Sequence, residues 1–341
     1  MKYNAIDLFS GVGGLTTGMH KAGFLTKIAI ELDSDAVKAY RMNHKRSRVI
    51  EKDIRKIDFS EIKKILNGET LHLLAGCPPC QGFSSIRRLN KKRSVRDERN
   101  SLVLEFLRFV KELKPLTIMM ENVPGLKNYI LFQKVVKELE VLGYNPKVEI
   151  LNVKDYGVPQ NRKRLVLVGS ILGNDLKIAE GIKTKTTVRK VIGELEDQET
   201  SKDPLHKSMT VHTPEVFERI KLTPHDGGSW KDIPEKFHLK CHKKKNVGFN
   251  DVYGRLRWDD FSTTITGGCL NPSKGRFLHP EYDRVLTPRE AALLQSFPKN
   301  YKFPLDIPKA SLAVLIGNAL PPKFSFIQSK NIKKHLEDKL N

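Results

Sequence analysis

Residues 5–14 read Ala-Ile-Asp-Leu-Phe-Ser-Gly-Val-Gly-Gly, an apolar strand that runs directly into a glycine-rich turn and the start of a helix. Glycine lets a backbone approach a ligand closely, and the first turn of a helix offers unpaired N–H groups. The dinucleotide fingerprint G-x-G-x-x-G would place glycine at position 16, which is Thr16 here. The stretch therefore predicts a ligand loop or a tight turn in an α/β domain, and it argues against an NAD site.

The first half of the chain alternates short apolar strands with amphipathic helices, which predicts a doubly wound α/β domain with a mostly parallel sheet. The clearest helix covers Ser101–Leu113 after a capping Asn100. After about Gly169 the alternation stops, and the chain as far as Leu286 is turn-rich, polar and basic, which predicts a smaller, irregular, β-rich module. The predicted strands are 5–9, 26–30, 48–50, 71–75, 116–120, 148–153 and 165–168.

The composition indicates a soluble protein with a polyanionic partner. No apolar run approaches the length that spans a bilayer, the N-terminus lacks the order of a signal peptide, and four cysteines in 341 residues favour the reducing cytoplasm. Sixty Lys and Arg against 39 Asp and Glu give a formal net charge of +21. An excess of this size marks a nucleic-acid partner more often than a merely solvated surface.

Residues 76–84 read Gly-Cys-Pro-Pro-Cys-Gln-Gly-Phe-Ser and follow a predicted buried strand. Three interpretations of the two thiols stay open: a thioredoxin-like redox pair, half of a zinc site, or a nucleophile at Cys80 with Cys77 incidental. The other cysteines, Cys241 and Cys269, provide no second paired spacing, so we expect no metal. A basic segment follows Cys80, which suggests a substrate that carries phosphates.

Acidic residues end three of the predicted strands. Glu31 and Asp53, taken singly, are more typical of helix capping, but beside the glycine loop they favour an adenosine-containing ligand such as S-adenosylmethionine. Glu121 is expected at the same sheet edge as Cys80, where an acid beside a thiol nucleophile can protonate or position a substrate. The basic run 160–164, Gln-Asn-Arg-Lys-Arg, would by itself indicate a solvated turn.

In their order along the chain, these motifs resemble the DNA (cytosine-5) methyltransferases of the bacterial restriction-modification type. The resemblance covers essentially the whole chain apart from a variable region, and Leu320 stands where the family usually has valine. The matching segments are DLFSGVGG at 7–14, Glu31, Asp53, PPCQGFS at 78–84, ENV at 121–123, QNRKR at 160–164, Arg289-Glu290 with LQSFP at 294–298, and GNALPP at 317–322.

The resemblance implies a Rossmann-like catalytic domain made of residues 1–170 and 287–341, and a target-recognition domain at 171–286. It implies that Cys80 attacks carbon 6 of cytosine, that Glu121 contacts the ring nitrogen at position 3, and that Arg162 and Arg164 lie near the cytosine carbonyl and the catalytic loop. Arg164 is the better candidate for the carbonyl, since a planar donor suits a fixed acceptor.

The implied cofactor is S-adenosylmethionine. Phe9 and Asp53, with Ile54, would contact the adenine, and Glu31 would bind the ribose. The methionine end would lie against Gly11, Gly13 and Gly14, and the pocket would be closed by Pro79 and Asn318.

The implied partner is double-stranded DNA with its target base flipped out, and a cognate endonuclease would be encoded nearby. We expect a cytoplasmic monomer without a membrane. A tRNA cytosine methyltransferase would carry a CFTxxYxxY segment that is not found here, and a catalytically silent relative would have lost Cys80 or Glu121. The candidate DNA contacts are Arg87, Arg88, Lys91, Lys92, Arg93, Lys243, Lys244, Arg255 and Arg257.

Overall fold

The computed structural model describes residues 3–79, 101–182, 184–240, 242 and 251–340, and its centre is one seven-stranded sheet. The strand order is β3-β2-β1-β4-β5-β7-β6, and β7 runs antiparallel to both of its neighbours while the other pairs are parallel. The predicted doubly wound, mostly parallel sheet is thus confirmed. The strands are β1 Tyr3–Leu8, β2 Phe24–Glu31, β3 Arg48–Glu51, β4 Leu73–Gly76, β5 Thr117–Asn122, β6 Lys147–Asn152 and β7 Lys163–Ser170.

The first five helices lie between the strands along the chain, and the remaining helices follow β7. The predicted helix after Asn100 begins at Val103, and the proposed cap at Asn100 lies outside the described residues. The helices are α1 Gly14–Ala22, α2 Ser34–Asn43, α3 Phe59–Leu66, α4 Val103–Leu113, α5 Ile130–Val141, α6 Val188–Ile192, α7 Pro204–Lys207, α8 Pro214–Leu222, α9 Pro288–Leu294, α10 Lys309–Asn318 and α11 Pro322–Leu340.

The chain divides into two compact units. The first comprises Met1–Tyr156, Lys163–Lys183 and Leu320–Asn341, and the second comprises Gly157–Arg162 and Thr184–Ala319. Residues 287–319, expected in the catalytic domain, therefore group with the second unit. The reason is side-chain contact that the sequence pattern does not display: Arg289 pairs with Asp203, and Thr287 Oγ1 lies 3.0 Å from His206 Nδ1.

The second unit is irregular, as predicted, but its described residues are not rich in strands. They contain short helices, 3-10 turns and isolated bridges such as Arg255 with Leu278. A small apolar core holds the unit together. The core residues are Ile220, Trp230, Val252, Tyr253, Leu278 and Val285.

One stretch, Lys309–Leu340, is long and apolar enough to cross a membrane by length and composition. It comprises α10 and α11, which residues 319–321 separate, and 61% of its most apolar window is buried. Core helices of soluble proteins have the same length and composition, so no membrane contact follows from it.

Helix α11 packs closely on α1, which carries the glycine loop at its N-terminus. A Cβ on Gly18 would lie 2.4 Å from the backbone nitrogen of Phe326, so only glycine permits this approach. The Ser325 hydroxyl donates to the Leu15 carbonyl at 2.7 Å. These contacts fix the direction of α1 and therefore the position of the loop that begins it.

Asp7 is fully buried in β1, beneath the glycine loop. Thr16 Oγ1 donates to its Oδ2 at 2.6 Å and lies 2.9 Å from the Tyr40 hydroxyl, whereas Oδ1 has no hydrogen-bond partner among the described residues. Burial raises the pKa of Asp7 to about 7, and the hydrogen bond from Thr16 partly opposes this rise. The folded protein therefore favours the protonated carboxyl.

We predict that Asp7→Asn removes a pH-dependent loss of stability. The pKa of Asp7 is higher in the folded state, so its contribution is fully present below about pH 4 and is lost as the pH rises through 7. Between pH 5 and 8 the free energy of unfolding of the wild type should fall by about 2 kcal/mol relative to the variant. Denaturant titrations at several pH values measure this difference, and parallel pH dependences for the two proteins would contradict it.

Candidate active site

The strand order reverses between β1 and β4. The chain moves from β1 to β2 and β3 on one side, then crosses back to β4 and continues to β5 on the other. In open α/β sheets, ligands bind beyond the carboxyl ends of the strands at such a switch point. The residues that follow β1 and β4 are the glycine loop and Cys77-Pro78-Pro79, so both motifs lie at this edge.

The glycine loop has the backbone of a ligand cradle. Phe9, Gly11 and Gly13 have φ angles of 57°, 53° and 90°, in the left-handed region that a non-glycine residue such as Phe9 seldom adopts. Gly13 is the N-cap of α1 and provides no side-chain cap, and Gly14 is the first residue of the helix. The start of α1 is therefore free of a capping side chain that would compete with a ligand.

Glu31, at the end of β2, accepts hydrogen bonds from the backbone of the glycine loop and of the residues that follow β2. Its Oε2 accepts from Gly11 N at 2.8 Å, and its Oε1 accepts from Leu32 N at 2.7 Å and Asp33 N at 2.9 Å. A carboxylate has about four acceptor positions, so it can still accept from a ribose hydroxyl. The structure therefore brings Glu31 to the glycine loop, as its predicted role in binding S-adenosylmethionine requires.

Asp53 caps the 3-10 helix Ile54–Lys56 and pairs with Arg55, whose Nη2 lies 2.6 Å from Oδ2. The hydrogen bonds from the side chain and backbone of Arg55 lower the pKa of Asp53 to about 2. Ile54 is buried in the core of the first unit. The contacts of Asp53 are those of a capping residue, so its predicted contact with adenine stays a prediction.

Glu121 and Arg164 form a buried ion pair at the edge of the sheet. Arg164 Nε donates to Glu121 Oε1 at 2.7 Å, and the side chains are 14% and 9% exposed. In the β5–β7 register Glu121 lies opposite Val166, and Arg164 stands near the start of β7. Burial lowers the pKa of Arg164 and the Glu121 carboxylate raises it. The structure thus brings together two of the four predicted catalytic residues.

Asn122 extends this group, and the sequence patterns alone assigned no function to it. Asn122 Nδ2 donates to the Pro78 carbonyl at 2.8 Å, and Asn122 Oδ1 accepts from Val123 N at 2.8 Å. Asn122 therefore fixes the prolyl turn that precedes Pro79 and Cys80. In the sequence, the signal that could have indicated this role is the position of Asn122 directly after Glu121.

Arg162, the other predicted catalytic residue that the structure describes, belongs to the second unit. It is buried in the second unit, where Nη1 donates to Ile265 O at 2.7 Å and to Gly317 O at 3.0 Å. Nη2 donates to Gly317 O at 3.0 Å and more distantly to Ala319 O. These carbonyls belong largely to the C-terminal end of α10, where helix carbonyls lack intrahelical partners. Arg162 therefore stabilises that helix end.

Asn318 is the last residue of α10 and is exposed. The preceding Gly317 packs so closely on the 266–267 backbone that a Cβ would lie 2.1 Å from the Thr266 carbonyl carbon. Gln295 supports the same helix end, since its Nε2 donates to Ile316 O at 2.7 Å. The segment that presents Asn318 is thus held rigidly within the second unit.

Arg255 was predicted to contact DNA, but its side chain is completely buried. It donates to the carbonyls of Ile220, Thr223, His279 and Tyr282 and pairs with Asp283. A guanidinium so occupied holds the second unit together and has no donor left for DNA.

Among the described residues, Arg257 is the other predicted DNA contact. Arg257 is exposed and remains a candidate DNA contact. In the part of the chain that the structure describes, no group of three or more His, Cys, Asp or Glu is placed to hold a metal ion. The predicted residues outside the described ranges are Cys80, Arg87, Arg88, Lys91, Lys92, Arg93, Lys243 and Lys244.

Comparison with known proteins agrees with this geometry. The sequence model of the C-5 cytosine-specific DNA methylase family matches residues 3–334. The Type II methylase M.HgiDII of Herpetosiphon aurantiacus is 38% identical over 97% of this chain and 95% of its own length. The Type II methyltransferase M.Eco47II of Escherichia coli is 32% identical over 99% of this chain and 80% of its own.

A solved structure is also similar. An E. coli prophage protein described as a DNA modification methyltransferase superposes with a TM-score of 0.77 and 26% identity, over 98% of this chain and all of that one. From the family match and the identity to these relatives, the chain belongs to the C-5 cytosine-specific DNA methylase family.

Proposed function

We propose that this protein transfers a methyl group from S-adenosylmethionine to carbon 5 of cytosine within a specific double-stranded DNA sequence, as the modification half of a restriction-modification system. The buried Glu121–Arg164 pair, on the sheet edge that also carries the glycine loop, is the observation that carries the proposal, because an acid beside a planar cation can bind the ring nitrogen and the carbonyl of a flipped cytosine. Relatives named Type II methyltransferases favour DNA over tRNA as the substrate.

The residues predicted to bind the methyl donor fit S-adenosylmethionine. The loop offers positive-φ glycines and a helix start without a capping side chain, and Glu31 retains acceptor capacity beside it. Bound there, S-adenosylmethionine would supply an electrophilic methyl group. The residues proposed to hold it are Phe9, Gly11, Gly13, Gly14, Glu31, Asp53, Ile54, Pro79 and Asn318.

The base is activated by covalent addition. Carbon 5 of cytosine is a poor nucleophile until addition at carbon 6 breaks the aromaticity of the ring, and the Cys80 thiolate makes that addition. Glu121 contacts the ring nitrogen at position 3, and Arg164 orients Glu121 and contacts the base carbonyl. With the methyl group that S-adenosylmethionine would supply on carbon 5, loss of the carbon 5 proton to solvent re-forms the double bond between carbons 5 and 6 and breaks the bond to Cys80.

A duplex hides carbons 5 and 6 within the base stack, so the target base must be extruded. We assign the basic segment 84–99 to clamping phosphates during this step, and residues 171–286 to target recognition. A cytoplasmic monomer, paired genetically with a cognate endonuclease, is consistent with this role.

We predict that Cys80→Ser abolishes methyl transfer while Cys77→Ser retains it, because only Cys80 forms a bond to the base. The recognised sequence is found first by sequencing DNA from expressing cells for 5-methylcytosine. An oligonucleotide with 5-fluorocytosine at that position, incubated with the methyl donor, should then give a denaturation-resistant adduct with the wild type and Cys77→Ser, because fluorine cannot leave carbon 5 as the proton does. Equal losses in both variants would support a redox pair instead, and an adduct at another side chain would refute the mechanism.

We also predict that Arg87→Ala/Arg88→Ala/Lys91→Ala weakens DNA binding and reduces its salt dependence. Each lost phosphate contact lowers the slope of log affinity against log salt by about 0.9, so the slope should fall by up to about 2.7. The matched control removes three charges at the opposite edge of the sheet, with Lys64→Ala/Lys114→Ala/Lys147→Ala. An unchanged slope in the first variant would exclude the phosphate clamp.

A further inference from the structure

Arg257 differs from the other arginines of the second unit. Each of the others donates to a carbonyl or a carboxylate of the protein, and they are Arg162, Arg189, Arg219, Arg255, Arg276, Arg284 and Arg289. Arg257 is exposed, and no hydrogen bond or ion pair joins it to any residue that the structure describes. Its guanidinium therefore keeps its N–H donors for another molecule.

Hydrogen bonds fix the backbone on both sides of Arg257. Leu256 N donates to Leu278 O at 3.0 Å, and Trp258 N donates to Asp226 Oδ1 at 2.7 Å. Residues 252–256 are buried, so Arg257 is the position at which this segment reaches the surface. A side chain on backbone that is held in this way meets a ligand at a defined place.

A glycine turn makes room for the Arg257 side chain. Gly227 has a φ angle of 110°, and a Cβ there would lie 2.4 Å from Arg257 Nε and 2.7 Å from Arg257 Cγ. Arg276 Nη1 holds the turn, because it donates to the carbonyls of Gly227 at 2.9 Å and Gly228 at 3.1 Å. The stem of Arg257 thus lies against the bare Cα of Gly227, where a larger residue would displace it.

A planar guanidinium with unused donors matches a ligand that presents two acceptors side by side. Double-stranded DNA offers two such ligands, namely the oxygens of a phosphate and the O6 and N7 atoms of guanine in the major groove. A phosphate offers oxygens in several directions, whereas a base edge presents its acceptors in one plane. The fixed backbone and the glycine turn at Arg257 therefore favour the base edge.

We propose that Arg257 is a specificity-determining residue, which donates two hydrogen bonds to O6 and N7 of a guanine in the recognised DNA sequence. This inference rests on the proposed function, in which double-stranded DNA is the substrate and residues 171–286 recognise it. It goes further because it separates a base contact from phosphate contacts and names the base that is read. Gly227 acts through Arg257, as its positioning residue.

The test selects bound sequences from a library of random DNA duplexes in the presence of S-adenosylhomocysteine, so that no methyl transfer is needed. The wild type should select a motif that contains guanine. Arg257→Ala should lose the preference for guanine at one position of the motif and keep the other positions. Its affinity for the wild-type motif should fall by about 5- to 150-fold, the loss expected for one bidentate base contact.

Two further variants distinguish the base contact from a general loss of structure. Gly227→Ala retains the charge of Arg257 but displaces its side chain, so it should weaken the preference for the same guanine and keep the other positions. Lys274→Ala removes another exposed cation of the second unit and should leave the motif unchanged. Loss of that same guanine in Lys274→Ala would contradict the assignment to Arg257.

A phosphate contact predicts a different result for Arg257→Ala. Binding would then weaken by a similar factor on every duplex, the slope of log affinity against log salt would fall by about 0.9, and the motif would stay the same. That outcome, or a wild-type motif without guanine, would overturn the inference and leave the proposed function intact. A wild type that selects no motif at all would refute both.

Discussion

The antiparallel direction of β7 is the constraint on which the candidate site depends. The parallel strands end at the sheet edge that carries the glycine loop, whereas the antiparallel strand β7 begins at that edge. Arg164, near the start of β7, therefore lies beside Glu121. A parallel β7 would carry Arg164 to the opposite edge. Removing one partner of a buried ion pair costs about 3–5 kcal/mol, because the remaining charge stays uncompensated. The pair therefore couples the geometry of the site to the stability of the sheet.

Much of this arrangement could be predicted from the sequence. Apolar runs bounded by turns indicate the seven strands to within a few residues, and the carboxyl ends of parallel strands necessarily share an edge. That rule assigns Glu31 and Glu121 to one edge of the sheet, where both of them lie. The order of the motifs then predicts a family that the comparisons confirm.

The environments of arginines in basic segments are hard to predict from sequence pattern. Arg162 and Arg255 have the neighbours of surface residues, yet both are buried and bound to backbone carbonyls. Which carbonyls lack partners depends on where helices and turns end in three dimensions, and local sequence does not contain that information. Residues 287–319 group with the second unit for the same reason, since contacts such as Arg289 with Asp203 join distant segments.

Three arginines differ in the groups that they bind, namely Arg162, Arg164 and Arg255. This difference distinguishes a structural role from a role in the proposed chemistry. Arg162 and Arg255 donate mainly to carbonyls, which hold no charge and cannot change their protonation state. Arg164 donates to a carboxylate at a sheet edge where strand order reverses, and a carboxylate can exchange a proton with a substrate. The buried pair that the proposed chemistry uses is therefore also the pair whose charges compensate each other in the folded sheet.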